Sequence, residues 1–220
     1  ASSAASDVYK RQMENLPEII SAVKKEGKAI VAPKRMRVTY TLTVDTNAVP
    51  AGKIIRCWLP YPRQDQARQQ DVEFISASEP QYTFSSPECR HSTLYMEKRA
   101  VEGEPTVFSE TFEFTANGEW HNLKPEDVQP YDTTTALYKE YTAEREKHIV
   151  FSPRLRELAA KLTAGENNPY LKAKRIFRWV NDNFPWASAR EYSTIENIPE
   201  YVLDNRHGDC GQVSLLFITL

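Results

Sequence analysis

The sequence has little glycine and little cysteine, and it lacks both a long apolar run and an excess of one charge. Its 220 residues include 7 glycines and 3 cysteines, which argues against collagen-like or low-complexity material and against a disulfide framework. No stretch approaches the roughly 18 apolar residues that would cross a bilayer. With 28 basic and 30 acidic residues the formal net charge is -2, so no strong positive field attracts nucleic acid or an anionic membrane.

The remaining composition is that of a globular protein. A hydrophobic content of 40% and an aromatic content of 11% allow a core in one large or two modest domains. A Cys57–Cys89 disulfide is compatible with the sequence, but no pattern favours it, so the redox compartment stays open. Our working hypothesis for location is an exported or cell-envelope protein of bacterial type. Nothing in the sequence fixes an oligomeric state.

Both ends of the sequence differ from ordinary domain edges. Residues 1–12 are small and polar and have no hydrophobic period, so we interpret them as an artefactual or disordered leader. The run from Cys210 to Leu220 is apolar and stops within its pattern, whereas natural termini are usually polar. We therefore expect the natural protein to continue beyond Leu220.

The first half of the sequence has the period of β-strands. Apolar side chains alternate with Thr and Arg over residues 36–44, which predicts a half-buried strand. A helical period over 14–26 precedes this strand. Together these features predict a short helix and arm at 13–33 and an antiparallel β-sandwich at 34–122. The further predicted strands, each bounded by turn residues, are 54–59, 72–77, 81–84, 93–99 and 107–114.

The second half changes to helical spacing after a linker at 123–134. Ser152-Pro153 and Asn168-Pro169 each place an N-cap side chain before a proline in the first turn. Weaker patterns predict helices over 137–147 and near 199–205. A buried helix then opens at Cys210, because apolar side chains follow at i, i+3, i+4 and i+7 from residue 213. We therefore predict an α+β fold with a helical domain at 135–220. Trp58, Trp120 and Trp179 are interpreted as core or interdomain packing.

The run from Arg206 to Gln212 carries the chemistry that the sequence offers. A thiol is a weak nucleophile until it ionises, and the first N–H groups and the dipole of a helix favour the thiolate of a cysteine at its amino end. The same N–H groups can stabilise the oxyanion that forms when a thiolate attacks a carbonyl. We expect Gly208 to permit an unusual backbone angle, Asp209 to cap the helix and Gly211 to keep the approach to Cys210 open.

The spacing alone leaves other interpretations open. A lone cysteine that begins an apolar helix is more often a small buried side chain than a nucleophile. Cys89-x-His91 and His207-x-x-Cys210 contain four zinc-type ligands, but structural zinc sites usually have tight paired spacing, so we predict no metal site and no cofactor. His207 lies three residues before Cys210 across a tight turn, which favours a supporting position over the role of general base. The other three histidines, at 91, 121 and 148, are predicted to be surface residues.

The segment from about 150 to 220 resembles the amino-terminal half of the transglutaminase-like (papain-like) thiol core. In that family helices lead through a polar loop to a Gly-x-Cys turn, and the cysteine opens a long apolar helix. The resemblance implies that Gly208 forms the turn, that Cys210 is the nucleophile and that residues 173–184 are the supporting helix. Trp186 and Tyr192 are similar to aromatic residues near the site in bacterial members. Together with His207 and Gln212 they are candidate supporting residues behind the nucleophile.

The resemblance implies a thiol enzyme that transfers or hydrolyses a carboxamide or peptide acyl group, with a protein or peptide as substrate. The family's activating His and Asp follow the cysteine helix, so we expect this chain alone to be an inactive fragment that contains the helical first half of the core. Two alternatives remain: a protease or amidase of the same fold, and a non-catalytic binding protein in which the sandwich recognises a glycan or protein and the thiol domain is a degenerate scaffold.

Overall fold

A computed structural model describes residues 15–188 and 190–220, and it divides into two compact units after Asn122. The first unit contains the sheets and the second contains most of the helices, so the chain belongs to the mixed α+β class with antiparallel sheets. The predicted leader at 1–12 lies outside the described residues. No helix within the described ranges combines the length and the apolar character needed to cross a membrane.

Within residues 15–122 the first unit contains one helix and two three-stranded antiparallel sheets. Helix α1 is described over residues 15–26. One sheet has the strand order β1-β6-β3 and the other has the order β2-β5-β4. The strands are β1 (Ile30–Val44), β2 (Ile54–Pro60), β3 (Gln69–Ala77), β4 (Tyr82–Phe84), β5 (Thr93–Arg99) and β6 (Thr106–Glu119).

Both sheets contribute to one apolar core in this unit. Alternation along β2 and β5 turns every second side chain inward, and these side chains meet Phe108 of β6, which is fully buried. The buried members of the cluster are Cys57, Leu59, Leu94, Met96 and Phe108. Gly118 of β6 allows α1 to approach closely, since a Cβ at this position would lie 2.7 Å from Ile19 Cγ1.

Two expectations about burial in this unit are wrong. Met36, Tyr40 and Leu42 of β1 are 45%, 41% and 41% exposed, because β1 is an edge strand with one neighbour and is incompletely covered. Trp58 is 58% exposed, and it does not lie in a core. It follows Cys57 on β2, which points inward, so the period of two turns Trp58 outward.

Over residues 123–188 and 190–220 the second unit contains five helices and two 3-10 turns, joined by loops. The helices are α2 (Ala136–Tyr141), α3 (Pro153–Leu162), α4 (Pro169–Asn183), α5 (Ile198–Asn205) and α6 (Cys210–Thr219), and the turns are Pro125–Asp127 and Tyr192–Thr194. The pattern over 137–147 predicted a longer helix, but α2 ends at Tyr141. At this end the Thr142 hydroxyl donates to the Tyr138 carbonyl at 2.7 Å.

Polar side chains fix where the helices of the second unit begin. Ser152 accepts from the Leu155 N–H at 3.2 Å at the start of α3, and Asn168 accepts from two N–H groups at the start of α4. These caps orient the apolar faces of the helices toward a common core. Its buried members are Leu155, Ile176, Val180, Phe184, Ile195, Ile198, Val202, Leu203 and Leu216.

Candidate active site

Cys210 is the first residue of α6, and its side chain is exposed. The rest of the helix is anchored in the core of the second unit, where Leu216 is fully buried. The thiol is therefore reachable from solvent although its helix is held rigidly, and it is not the small buried side chain that a lone cysteine often is. Cys57 is the buried cysteine of the chain, and Cys89 is exposed.

Asp209 caps the helix that Cys210 begins. Its Oδ1 accepts from the Gln212 N–H at 2.8 Å, and its own N–H donates to Gln212 Oε1 at 3.3 Å, so the two residues form a capping box. The Tyr192 hydroxyl, followed by the N–H of Gln212, lowers the pKa of the Asp209 carboxyl. A carboxylate therefore lies one residue before the thiol.

Tyr192 lies directly over the first turn of α6. It belongs to a 3-10 turn, and its hydroxyl donates a short hydrogen bond to Asp209 Oδ1. Burial first, and then the Asp209 carboxylate, raises the pKa of Tyr192 to about 12. A Cβ at Gly211 would overlap the phenol oxygen and lie 3.2 Å from Tyr192 Cζ. The Tyr192 phenol therefore fills the space beside Gly211. The missing side chain at Gly211 does not by itself open the expected approach to the Cys210 sulfur.

Gly208 is buried in the turn that precedes Cys210. It does not have a positive φ, so the predicted unusual backbone angle is wrong. Its need for glycine is steric, because a Cβ would lie 3.0 Å from Gln212 Cβ and 3.3 Å from Val202 Cγ2. The Gly208 carbonyl accepts from the Ala187 N–H at 3.0 Å, and the adjacent Trp186 is 69% exposed.

Gln212 connects the helix to the loop that carries Tyr192. Its side chain is 1% exposed, and Nε2 donates to the Arg190 carbonyl at 3.2 Å. Ala187, Arg190 and Val202 were not singled out from the sequence. The first two act through backbone groups and the third through packing, so no residue type in the sequence marks them.

The structure brings seven of the predicted site residues around the amino end of α6 and leaves the role of the eighth open. Tyr192, Gly208, Asp209, Gly211 and Gln212 lie around Cys210 through the contacts described above, and Trp186 lies beside Gly208 through an isolated β-bridge. His207 is half-buried, and its Nδ1 is buried without a hydrogen-bond partner among the described residues. In the part of the chain that the structure describes, no hydrogen bond joins Cys210 Sγ to a histidine ring.

The other histidines have separate environments. His148 Nδ1 accepts from the Ile198 N–H at 3.3 Å, and His121 Nε2 lies 2.7 Å from Glu119 Oε1. His91 accepts the Cys89 thiol through its backbone carbonyl at 3.3 Å. Within residues 15–188 and 190–220, no group of three or more His, Cys, Asp or Glu side chains is arranged to hold a metal ion.

An apolar groove of about 360 Å³ runs along the exposed side of α6. Val213, Ser214 and Phe217 form one wall, and they lie three, four and seven residues after Cys210. Trp186 and Phe177 contribute to the lining, and both have largely exposed rings. The surface beside the nucleophile position is therefore apolar and aromatic.

Comparisons with known proteins place this site in a family. Residues 156–220 match the model of the transglutaminase-like superfamily. Among solved structures, the crystal structure of a "putative cysteine protease" from Cytophaga hutchinsonii is similar, with a TM-score of 0.60 and 15% sequence identity. The similarity covers 86% of this chain and 63% of that protein, so the chain spans less than two thirds of its length. No curated protein sequence matches the chain. The family match, which is confined to residues 156–220, and the shared fold together support a transglutaminase-like protein.

Proposed function

We propose that this protein is a thiol enzyme in which Cys210 attacks a carboxamide or peptide carbonyl. One observation carries the proposal: an exposed cysteine is the first residue of a capped helix that is anchored in the core by Leu216, inside the segment that matches the transglutaminase-like superfamily. Such a position favours the thiolate, because the helix dipole is positive at its amino end. The substrate we propose is a protein or peptide.

The reaction follows from the position of the thiol. The Cys210 thiolate forms a carbon–sulfur bond with the carbonyl carbon, and the oxygen of the tetrahedral adduct takes the negative charge. Collapse of the adduct breaks the carbon–nitrogen bond, and ammonia or an amine leaves after it accepts a proton. The resulting thioester is then resolved by water, which gives hydrolysis, or by a second amine, which gives transamidation.

The amino end of α6 offers a backbone donor for the oxyanion at Cys210. Asp209 Oδ1 accepts from the N–H of Gln212 at 2.8 Å, so that N–H is already used. No hydrogen bond from the Cys210 N–H to a described residue is present, so this donor is available to the oxygen of the adduct. We therefore propose that the Cys210 N–H contributes to the oxyanion site.

A general base for the thiol is not evident among the described residues, because no histidine ring is bonded to Cys210. We therefore propose that the 220-residue chain alone has no turnover and that a histidine and its orienting acid lie in sequence outside these residues. On this view the first unit is a β-sandwich and the second is the first half of a transglutaminase-like core. Turnover by the 220-residue chain that Cys210→Ser abolishes would contradict the proposal.

The test of the nucleophile compares two exposed cysteines of one molecule. The protein at its full natural length is treated with iodoacetamide at pH 6, and modification of Cys210 and Cys89 is followed by peptide mass spectrometry. We expect Cys210 to react at least about tenfold faster, since an activated thiol is largely ionised where an ordinary thiol is not. Equal rates would refute an activated nucleophile.

One observation favours a second candidate, a non-catalytic protein that binds its partner through the first unit. Trp58 is 58% exposed, and its ring centroid lies 5.0 Å from that of Tyr95 on the neighbouring strand. Tyr95 is half-buried, so the pair presents the exposed Trp58 ring on a supporting aromatic side chain, and aromatic residues are enriched at binding surfaces. This candidate requires an inert Cys210 in the full-length protein, so the alkylation experiment also separates the two functions.

A further inference from the structure

We propose that Tyr192 is a positioning residue for Cys210, acting through Asp209: its hydroxyl holds the Asp209 carboxylate on the amino end of α6 and limits the repulsion between that charge and the thiolate. This inference rests on the proposed role of Cys210 as the nucleophile. Among the described residues no hydrogen bond joins Tyr192 to Cys210. Burial first and then Asp209 raise the pKa of Tyr192, and the direct interaction with Cys210 is a smaller cause. We therefore assign its main influence to Asp209.

The loop that carries Tyr192 is fixed on the helix at two points. The Arg190 carbonyl accepts from Gln212 Nε2 at 3.2 Å, and the Tyr192 hydroxyl donates to Asp209. Glu191 closes the 3-10 turn between them, because its carbonyl accepts from the Thr194 N–H at 3.1 Å. The phenol is therefore placed by backbone contacts on both sides and is not a freely rotating surface side chain.

The Tyr192 phenol occupies the space that a side chain at position 211 would need, and this position is a glycine. The first-turn position of Gly211 on α6 lies under the Tyr192 ring, with Cζ 3.2 Å and Cε2 3.4 Å from where a Cβ would stand, and the hydroxyl oxygen closer still. A helix interior favours alanine over glycine by about 1 kcal/mol. The glycine is therefore explained by contact with Tyr192 and not by helix propensity.

The hydrogen bond from Tyr192 to Asp209 matters because no cation neutralises the Asp209 charge among the described residues. Tyr192 stays protonated and Asp209 stays ionised near neutral pH, because their pKa values move in opposite directions. The nearby cations are directed elsewhere: Arg190 donates to Thr194, and Arg206 donates to Asn183. No salt bridge to Asp209 is formed within the described ranges, so the phenol is the side-chain donor that disperses its charge.

Two substitutions should move the reactivity of Cys210 in opposite directions. Asp209→Asn keeps an oxygen for the cap and removes the charge, so alkylation of Cys210 should become about threefold to tenfold faster at pH 7, and its pH profile should move to lower pH. Tyr192→Phe removes the donor and leaves the charge. The same rate should then fall about threefold, and the profile should move to higher pH.

A double-mutant cycle tests whether Tyr192 acts through Asp209. The full-length protein, Tyr192→Phe, Asp209→Asn and the double variant are compared by the pH profile of Cys210 alkylation, with Cys89 in each molecule as the internal reference. We expect Tyr192→Phe to have no effect in the Asp209→Asn background. The same slowing in both backgrounds, or no slowing in either, would overturn the inference.

Two further variants separate this effect from a loss of folding. Tyr201→Phe removes a hydroxyl elsewhere in the same unit and should leave the profile unchanged. Gly211→Ala displaces the phenol without removing it, so it should reproduce the shift of Tyr192→Phe and add nothing to it. The proposed function is tested separately, by the ratio of Cys210 to Cys89 in the unsubstituted protein, whereas the inference depends on differences between variants.

Discussion

Replacing Glu110 by glutamine should change how the stability of the first unit depends on pH. Glu110 lies on β6 between Phe108 and Phe112 on the inward face, it is 1% exposed, and neither carboxylate oxygen has a hydrogen-bond partner among the described residues. The nearest titratable neighbours are Cys57 and Tyr61, and Tyr40 lies opposite on β1. An unpartnered carboxylate in this position is costly, whereas the neutral acid is tolerated.

The magnitude follows from the pKa of the buried group. Burial raises the pKa of Glu110 from 4.5 to about 7, and the corresponding difference in free energy is roughly 3 kcal/mol. Because the folded state holds the proton more tightly than the unfolded state, this contribution is fully present below pH 4.5. It is lost as the pH rises through about 7, so the unfolding free energy of the first unit should fall over that window.

Glutamine has nearly the same shape and cannot ionise. Glu110→Gln should therefore leave the unfolding free energy within about 1 kcal/mol at pH 4.5 and raise it by roughly 3 kcal/mol at pH 8. Cys57 reports on this unit because it is buried in the same core. In a variant with Cys89 and Cys210 replaced by serine, its exposure in urea can be followed with 4,4′-dithiodipyridine at each pH.

The control is Glu104→Gln, which removes the same charge from an exposed position before β6. It should leave the pH dependence unchanged, because the Glu104 side chain is exposed to water in the folded state and its charge carries no burial cost. Parallel stability curves for Glu110→Gln and the unsubstituted protein between pH 4.5 and 8 would refute the reasoning. That result would mean that Glu110 finds a partner or water in solution.

Two smaller changes test local packing and capping. Gly118→Ala should cost about 1–3 kcal/mol, because the new Cβ would lie 2.7 Å from Ile19 Cγ1; hydrogen exchange should increase over residues 15–26, and unchanged exchange there would contradict the contact. Ser152→Ala should cost about 1 kcal/mol, because the Leu155 N–H loses its cap; a urea midpoint equal to that of the unsubstituted protein would contradict it.

Helix starts in the second unit could be predicted because their causes are local. Ser152-Pro153 and Asn168-Pro169 each place a side-chain acceptor next to the N–H groups that need it, and α3 and α4 begin there. The same holds for Asp209 before Cys210. A prediction of this kind needs three or four consecutive residues and no knowledge of distant segments.

Exposure on the sheets could not be predicted in the same way. Alternation predicted which side chains of β1 share a face, but coverage of that face depends on where the strand lies in its sheet. The order β1-β6-β3 leaves Met36 and Leu42 at an edge. The inward position of Glu110 follows from the sequence, since Glu110 alternates with Phe108 and Phe112 along the strand.

The contacts around Cys210 join segments that are distant in the chain, so a local sequence pattern cannot predict them. Tyr192 reaches Asp209 across 17 residues, and Gln212 reaches Arg190 across 22. The loop between α4 and α5 has no helical or strand period, so its register against α6 depends on the assembled core. Sequence patterns therefore predicted Cys210 as the candidate nucleophile and the cap at Asp209, but not the hydrogen bond from Tyr192 to that carboxylate.

Asp209 has two effects that oppose each other, and this opposition explains the arrangement around it. As an N-cap it stabilises the helix by about 1 kcal/mol, yet its charge lies one residue from a thiol that must become an anion to react. An uncharged cap such as asparagine would avoid the conflict at little cost in stability. Retaining the carboxylate is consistent with function only if its charge is dispersed, and the Tyr192 hydroxyl and the N–H groups of Gly211 and Gln212 supply that dispersion.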